Sequence, residues 1–299
     1  MNLPSFVRSG AREPIESIAQ HINIGLATTE SRDRAGRLYA SETGYCERQG
    51  AVLAQLPSTE ISSASSTLYK KFGDNIETIV LDALYEQGIL VFRQFHLPDV
   101  GLDLGGYIDG IVMLNGKLHV LEIKTCGQLP SQPKPQHLHQ AAVYSAITGF
   151  PAIIYYISRH VASFDGVLKQ AEFYVPAHGD LQRTAIYRAA YAHLSVLEGV
   201  TPYMPTHITK EDQCGFCPLR PQCWHGAERT NWPAEDDHKL ASKLAKEAKQ
   251  LADAILDVET SNDRRNGIVK HISRIGNGLA KSLLRDKDWS TFFIPFPSS

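Results

Sequence analysis

The sequence predicts an α/β fold in which a central mixed β-sheet is flanked by helices. Three observations predict it. Residues 62–87 carry apolar side chains at helical spacing, residues 89–125 contain three runs of strand-forming residues, and a second helical segment followed by an apolar run comes next. Antiparallel strands joined by a tight turn, followed by a strand reached through a helix, give a mixed sheet with helices as covering layers.

The first predicted elements are two helices and a strand. Residues 35–56 are compatible with a helix around Cys46 that ends near Pro57. Residues 62–87 form a helix because their apolar positions repeat at i, i+3, i+4, i+7 and i+8, namely at Ile76, Ile79, Val80, Ala83 and Leu84. Gly88 ends this helix, and residues 89–97 are rich in strand formers.

A β-hairpin follows, with strands at about 106–114 and 117–125. The dipeptide Asn115-Gly116 between two apolar runs is a strong signal for a two-residue type I′ turn. This turn fixes which residues lie opposite each other in the two strands. The expected opposed pairs are Leu114 with Lys117, Ile111 with Val120, and Asp109 with Glu122.

The second half of the chain is predicted to alternate between helices and short strands. The expected helices are 136–148, 179–198 and 236–259, and the expected strands are 152–158 and 172–175. Without internal repeats, the core order is helix, three strands, helix, strand. We expect a core of residues 1–235 and a C-terminal appendage of residues 236–299, made of an amphipathic helix and a basic tail.

The hairpin is predicted to carry a divalent-metal site. Two opposed carboxylates, Asp109 and Glu122, would repel each other unless a cation lay between them. Lys124 shares their face, whereas Ile123 points to the other face and contributes only a backbone carbonyl. Glu77, on the helix before the sheet, is the candidate third acid. Such a site activates water for phosphodiester hydrolysis, since Mg²⁺ prefers carboxylate and water oxygens. The alternative is a solvent-exposed ion pair of ordinary surface residues.

Composition limits the other function classes. The chain has 299 residues and a net charge of −2, so a nucleic-acid partner must be argued from a local site. The sequence contains no run of about 18 apolar residues, which is the length that a membrane-spanning helix needs. The N-terminal residues lack the apolar core of a signal peptide, so we expect a cytoplasmic protein. In that compartment the five cysteines are expected to be metal ligands or buried thiols.

Three motifs together resemble the PD-(D/E)XK nuclease superfamily: Gly-Tyr-Ile-Asp109-Gly, Glu122-Ile-Lys124, and Gln140-Ala-Ala-Val-Tyr144 on the next helix. The likeness is closest to the RecB-type and CRISPR-associated exonuclease branch. The resemblance implies a restriction-endonuclease-like core, metal ligation by Asp109 and Glu122, and a catalytic Lys124. Glu77 occupies the place of a first-helix ligand, where His is commoner.

Gln140 and Tyr144 are predicted to contact DNA. They are spaced i, i+4 on one helix face, and an amide and a phenol can bind a phosphate oxygen or stack on a base. The alternative is that both side chains simply line the sheet.

A second metal centre is predicted from the cysteines. Cys214, Cys217 and Cys223 form a C-x₂-C-x₅-C run, and Cys46 is the best fourth ligand. Four thiolates suit a 4Fe–4S cluster or Zn²⁺, and a zinc site has His225 or His207 as other candidates for its fourth ligand. The arrangement resembles the iron–sulfur nucleases of the same superfamily, in which the cluster ties the N-terminal segment to the end of the core. Cys126 is expected to be a buried apolar residue.

The predicted helix at 236–259 has an apolar stripe at Leu240, Leu244, Ala248, Leu251, Ile255 and Leu256. We expect it to pack on the core, with self-association or partner docking as the alternative. Together these observations predict a Mg²⁺- or Mn²⁺-dependent exonuclease acting on single-stranded DNA or duplex ends. The alternatives are a structure-specific endonuclease and a DNA-binding subunit without activity.

Overall fold

The computed structural model of this chain describes residues 28–32, 37–43, 46–55, 58–62, 64–159, 168–202, 214, 217, 219–225, 228–229 and 238–275. The helices are α1 (Ala40–Thr43), α2 (Glu47–Gln55), α3 (Ala64–Glu86), α4 (Pro135–Thr148), α5 (Asp180–Leu197), α6 (Arg220–Cys223), α7 (His238–Ile255) and α8 (Val258–Ile275). The strands are β1 (Thr28–Arg32), β2 (Leu38–Tyr39), β3 (Ser58–Ser62), β4 (Leu90–His96), β5 (Leu104–Gly105), β6 (Tyr107–Leu114), β7 (Lys117–Cys126), β8 (Ala152–Ser158), β9 (Gln170–Val175), β10 (Trp224–His225) and β11 (Glu228–Arg229).

A five-stranded mixed sheet is the centre of the fold, with strand order β4-β6-β7-β8-β9. Only β7 and β8 pair in parallel within it, and the other neighbours are antiparallel. The parallel pair is connected through α4, because a parallel crossover needs a long connection. The predicted α/β class with a mixed sheet and flanking helices is therefore confirmed.

The predicted hairpin turn and its register are confirmed. Asn115 and Gly116 have φ values of 51° and 74°, the two positive values that a type I′ turn requires. The strand pairs run from Leu114 opposite Lys117 to Gly110 opposite Leu121. The predicted pair of Asp109 with Glu122 is not among these pairs; the two residues follow the last pair, where the ladder ends.

The two faces of the sheet bury different sets of apolar side chains. On one face, α3 covers a small cluster formed by Leu81, Leu90, Val112, Leu121 and Ile123. On the other face, α4 and α5 close a larger core that includes Ile111, Val120, Tyr144, Ile154 and Ala189. The alternation along β7 thus puts Ile123 against α3 and Glu122 on the side of α4.

Most predicted elements agree with the structure within two residues, but two differ. The predicted helix at 35–56 is split into the strand β2 and the helices α1 and α2, with Cys46 between the two helices. The second difference lies in the appendage. The predicted helix at 236–259 ends at Ile255, and a separate helix, α8, covers residues 258–275, although we predicted a basic tail from Asn262 onwards. Its buried positions, Ser261, Arg265, Ile268 and Val269, have helical spacing, but two of them are polar and hid the pattern.

The helix α7 packs on the core as predicted, and α8, which was not predicted, packs on it too. Leu244, Ala248 and Ile255 of α7 and Ile268 of α8 belong to the same hydrophobic cluster as the sheet. A boundary near residue 235 and association through residues 236–259 stay predictions. The residues after Ile275, with the rest of the basic tail, lie outside the described residues. Among the described helices, none has the length and apolar character needed to cross a membrane.

Candidate active site

The structure brings the predicted acids and Lys124 together at the end of the β6–β7 hairpin. Glu122 is completely buried, and its Oε2 accepts a hydrogen bond from Lys124 Nζ across 2.7 Å. Lys124 keeps a fifth of its side chain exposed, so the ammonium group lies between the buried carboxylate and the surface. A buried carboxylate is strongly disfavoured without a partner, and here the partner is the lysine two residues along the same strand.

Asp109 is held by the neighbouring strand. Its Oδ2 accepts a hydrogen bond of 2.7 Å from the backbone amide of Ile123. The bond places the carboxylate of β6 beside β7, and this contact was absent from the sequence prediction. Ile123 was predicted to offer its carbonyl to a metal, and this stays a prediction.

Glu77 joins the site from α3. The side chain of Gln94, on the edge strand β4, donates a hydrogen bond to Glu77 Oε1. Burial and the charge of Asp109 raise the pKa of Glu77 to about 7, and Lys124 acts weakly in the opposite direction. The candidate third acid therefore lies within electrostatic range of both Asp109 and Lys124, although it comes from the opposite face of the sheet.

The three carboxyl groups disfavour one another's ionisation. Burial and the charge of Asp109 raise the pKa of Glu122 to about 8, against the lowering effect of Lys124. Burial also raises the pKa of Asp109. Burial alone would lower the pKa of Lys124. The negative charges of Glu122 and Asp109 have the larger effect and hold this pKa above its usual range. Three acids and one ammonium group leave an excess of negative charge once the acids ionise, which a cation would neutralise.

One carboxylate oxygen in the site lacks a hydrogen-bond partner within the described part of the chain. Glu122 Oε1 is buried and has no hydrogen-bond partner among the described residues. A buried oxygen without a partner is costly, and a metal ion would satisfy it. Within the described residues, no set of three or more His, Cys, Asp or Glu side chains is positioned to hold a metal ion. Here Glu77 bonds Gln94 instead, and the second oxygen of Glu122 bonds Lys124.

Gln140 and Tyr144 are buried beneath the site. They are 9% and 2% exposed, respectively, so the structure gives them a positioning contact, and their contact with DNA stays a prediction. Gln140 Nε2 donates to the Tyr144 hydroxyl, which donates in turn to the carbonyl of Tyr107. A Cβ added at Gly106 would lie 2.9 Å from that hydroxyl, so any larger residue there would have to displace the tyrosine.

His137 and Tyr156 are two site residues that the sequence prediction missed. The Tyr156 hydroxyl accepts the amide of Lys134 at 3.0 Å and lies 2.7 Å from His137 Nδ1. Burial and the charge of Lys124 lower the pKa of His137 to about 3, so its ring is neutral at pH 7. The direction of the hydrogen bond between His137 Nδ1 and the Tyr156 hydroxyl depends on which ring nitrogen carries the hydrogen. The only sequence signal for this pair was the place of His137, one turn before Gln140 on the same helix.

The four predicted cluster cysteines influence one another electrostatically through Cys217, although no group of three or more of them is positioned to hold a metal ion among the described residues. Cys46, between α1 and α2, interacts electrostatically with Cys217, which in turn interacts with Cys214 and Cys223. Burial raises the pKa of Cys46 to about 12 although the amides of Gln49 and Arg48 hydrogen-bond its sulfur. A positive neighbour, such as a metal, would be needed to keep this thiol ionised.

Side-chain donors also reach the sulfurs. Arg48 Nη1 lies 3.6 Å from Cys223 Sγ, and Trp224 Nε1 lies 3.3 Å from Cys214 Sγ. Hydrogen bonds to sulfur are typical of thiolate metal sites. Of the two alternative zinc ligands, His225 lies in β10 and His207 is outside the described residues.

Cys126 is separate from this cluster. It is buried at the end of β7, and its thiol donates to the carbonyl of Ile157. This agrees with the prediction of a buried residue.

Comparisons with known proteins add little to this geometry. No family model matches the chain, and no curated protein is similar to it in sequence. One similar solved structure is described as "Crystal structure of SSO0001"; it has a TM-score of 0.40 and 17% identity, and the match covers 63% of this chain and 85% of that chain. The class of the protein is therefore an α/β protein with a buried acid–lysine site, as its own sheet and side chains define it.

Proposed function

We propose that this chain is a Mg²⁺- or Mn²⁺-dependent deoxyribonuclease of the PD-(D/E)XK type, with exonuclease action on single strands or duplex ends. The observation that carries the proposal is the carboxylate of Glu122. It is fully buried, bonded through one oxygen to Lys124, and without a partner for the other oxygen beside a second acid. Buried polar atoms normally have hydrogen-bond partners, and a cation bound here would supply the missing one.

The metal would be held by Asp109 and Glu122, with Glu77 and the carbonyl of Ile123 completing the protein ligands. A bound divalent cation supplies a nucleophilic water at neutral pH and stabilises the negative charge that develops on phosphorus. These oxygen donors suit a hard cation. Glu77 would have to give up its hydrogen bond to Gln94 in order to bind the metal.

Lys124 acts as a hydrogen-bond donor and a positive charge at the reacting phosphate. Because the neighbouring carboxylates raise its pKa, it keeps its proton at neutral pH and does not begin as a base. In hydrolysis a water oxygen bonds to phosphorus, the bond from phosphorus to the leaving deoxyribose oxygen breaks, and a proton passes to that oxygen. A fixed ammonium group lowers the energy of this charge build-up because it needs no reorganisation.

A DNA strand is supported as substrate by the residues around the acids. Tyr107 is 58% exposed and comes two residues before Asp109, so an aromatic ring borders the site. Unpaired bases stack on exposed aromatic rings without sequence preference. Tyr144 and Gln140 support this rim from below through the carbonyl of Tyr107.

The cysteine centre has a structural role in this proposal. A 4Fe–4S cluster, or Zn²⁺ as the alternative, would be held by Cys46, Cys214, Cys217 and Cys223. It would join the segment before α2 to the segment around α6, which are far apart in the chain. The electrostatic effects that link Cys217 to the other three cysteines, and the side-chain donors that reach two of the sulfurs, support this proposal.

The test compares four proteins on end-labelled single- and double-stranded DNA with Mg²⁺, Mn²⁺ or EDTA. Wild type is expected to cut with either metal, and Lys124→Ala and Glu122→Gln to lose at least about 100-fold in rate. Lys117→Ala is the matched control, since Lys117 is an exposed lysine at the other end of the same strand. Cutting by Lys124→Ala at the wild-type rate would contradict the mechanism, and DNA binding without any cutting would favour the inactive-subunit alternative. The size of the labelled products separates exonuclease from endonuclease action.

A further inference from the structure

A cavity of about 560 Å³ lies between the edge strand β4 and the C-terminal helix α8. Phe92, Gln94 and Phe95 line it from the strand, and Arg264, Ile268 and His271 line it from the helix. The volume is in the range of small-ligand sites in proteins. The mechanism proposed above uses none of these residues except Gln94, which contacts Glu77.

The walls of the cavity suit a flat, polar aromatic ring. Phe95 makes edge contacts with both Phe92 and His271, at ring-centre distances of 5.4 and 6.3 Å. These rings provide apolar surface, and the exposed amide of Gln94 can donate and accept hydrogen bonds at the rim. A nucleobase combines an aromatic face with polar edges, so it matches both parts of the lining.

The charge of the cavity favours an anionic ligand. None of the nine lining residues is acidic. The guanidinium of Arg264 donates to the carbonyls of Ile255 and Ile147, at 2.6 and 3.4 Å, and has no carboxylate partner among the described residues. A partly buried guanidinium that is satisfied only by carbonyls keeps its full charge, and phosphate is a natural counterion for it.

The cavity is connected to the candidate active site by two contacts. Gln94 lines the cavity and also hydrogen-bonds Glu77. His96, another lining residue, makes an edge contact of 5.1 Å with the ring of Tyr107, two residues before Asp109. A strand that has one phosphate at the acids can therefore place a nearby base in the cavity.

We propose that the cavity between β4 and α8 binds one nucleobase of single-stranded DNA, with the adjacent backbone phosphate near Arg264. This inference rests on the proposed nuclease function and adds a position for the strand. It also gives α8 a function, because the helix forms one wall of the base site. Binding here holds the strand in place at the acids and Lys124, which matters because cleavage needs accurate positioning of the phosphate.

Two substitutions test the proposal from opposite walls of the cavity. Gly267→Leu adds a side chain at the cavity wall, where a Cβ meets no heavy atom within 4 Å. Phe92→Leu removes an aromatic face while keeping an apolar side chain. Each is expected to weaken binding of a single-stranded oligonucleotide about 5- to 150-fold, the range for loss of one base–aromatic contact. Thr260→Leu is the control, since it adds the same side chain to an exposed site on the same helix outside the cavity.

Binding is measured with full-length protein in the Lys124→Ala background and in Mg²⁺, so that cleavage does not interfere. Thermal unfolding of each variant verifies that it is folded. A series of oligonucleotides with one abasic position each then locates the bound base. We expect the loss of the base at one position to weaken binding to the protein with an intact cavity. In the Gly267→Leu variant, loss of that base should no longer change the affinity.

Two results would overturn the inference: wild-type affinity in both folded cavity variants, or equal affinity for every abasic oligonucleotide. Either could occur while the unmodified protein still cuts DNA with metal, which would leave the proposed function intact. If the unmodified protein fails to cut but the abasic series shows one sensitive position, the nuclease proposal fails and the base site remains.

Discussion

The amide of Ile123 donates a hydrogen bond of 2.7 Å to Oδ2 of Asp109, so the backbone of β7 holds the carboxylate of β6. The bond occurs just past the last recorded strand pair, Gly110 with Leu121. Where the ladder of backbone hydrogen bonds ends, the side chain of Asp109 thus accepts the hydrogen bond of the Ile123 amide. One carboxylate oxygen is used for structure, and the other is available for chemistry.

Substitutions of Asp109 separate these two uses. Asp109→Asn keeps an oxygen acceptor for the Ile123 amide, whereas Asp109→Ala leaves that amide without its partner. Both remove the charge, so their difference isolates the hydrogen bond. We expect Asp109→Ala to be less stable than Asp109→Asn by about 1–3 kcal/mol in urea unfolding, while both lose at least about 100-fold in cleavage. Equal stability of the two variants would contradict the role of the bond.

Stability is expected to fall in weak acid because of His139. This histidine is 4% exposed, and burial and the nearby Arg188 lower its pKa to about 3. A base with a lowered folded pKa favours folding fully above its unfolded pKa, near 6.5, and loses that contribution as pH falls towards 3. Between pH 7.5 and 5.5 the loss from this one residue is about 1.4 kcal/mol.

The measurement is urea unfolding at both pH values for wild type and His139→Leu. The variant lacks the titrating ring, so the wild-type free energy of unfolding should fall more steeply by that amount. His139 Nε2 is buried without a hydrogen-bond partner among the described residues, so leucine removes an unsatisfied polar atom. The same pH dependence in both proteins would rule out His139 as the source.

Cys46 and Cys126 are predicted to differ sharply when each is changed to serine. Cys46→Ser should lower bound iron and the broad visible absorbance, because Cys46 is the only ligand candidate on the N-terminal side of the centre. Cys126→Ser should keep both, because the new hydroxyl can still donate to the carbonyl of Ile157. Iron, sulfide and zinc are measured on anaerobically purified proteins. A colourless wild type that contains zinc would replace the iron–sulfur assignment with Zn²⁺, and retained metal in Cys46→Ser would remove Cys46 from the ligand set.

The hairpin was predictable because local chemistry determines it. Asn115 and Gly116 both tolerate positive φ, and the resulting turn sets the pairing up to Gly110. Asp109, Glu122 and Lys124 follow from that register and the alternation of β-strand side chains. These three residues could thus be placed together from the sequence, although the bond from Asp109 to the Ile123 amide could not.

The contact between Gln94 and Glu77 depends on an irregular strand. Gln94 has a φ of 46°, and the pairing of β4 with β6 shifts between Leu90 and Phe92. An extra residue in a strand changes which side chains point to which face. No pattern in the sequence predicted this irregularity. The partner of Glu77 was therefore unpredictable, as was the cavity beside it.

The helix α8 was missed for a different reason. Arg265 is buried, and its carbon atoms would lie 3.3 to 3.6 Å from a Cβ added at Gly149. The neighbouring Arg264 donates hydrogen bonds to backbone carbonyls. Long cationic side chains can bury their carbon stems while counting as polar in a sequence pattern. Sequence periodicity thus underestimates helices that dock through arginine.

Gly106 and Tyr144 form a close contact whose role can be tested by a double-mutant cycle. A Cβ at Gly106 would lie 2.9 Å from the Tyr144 hydroxyl and 3.3 Å from its ring, so Gly106→Ala should push the ring away and cost about 1–3 kcal/mol. In a Tyr144→Phe background the nearest atom is gone, so the same alanine should cost less. Because the displaced hydroxyl also bonds the carbonyl of Tyr107 beside Asp109, Gly106→Ala should slow cleavage as well.

Thermal and urea unfolding of the four proteins in the cycle give the coupling energy, and single-strand cleavage gives the rate. Tyr144→Phe alone leaves the Gln140 amide without its hydroxyl partner, and the cycle subtracts this shared loss from the comparison. If alanine at position 106 costs the same with Tyr144 and with phenylalanine, the close approach does not require glycine. If the cost falls but cleavage is unchanged throughout, then Tyr144 supports the fold alone and not the rim of the site.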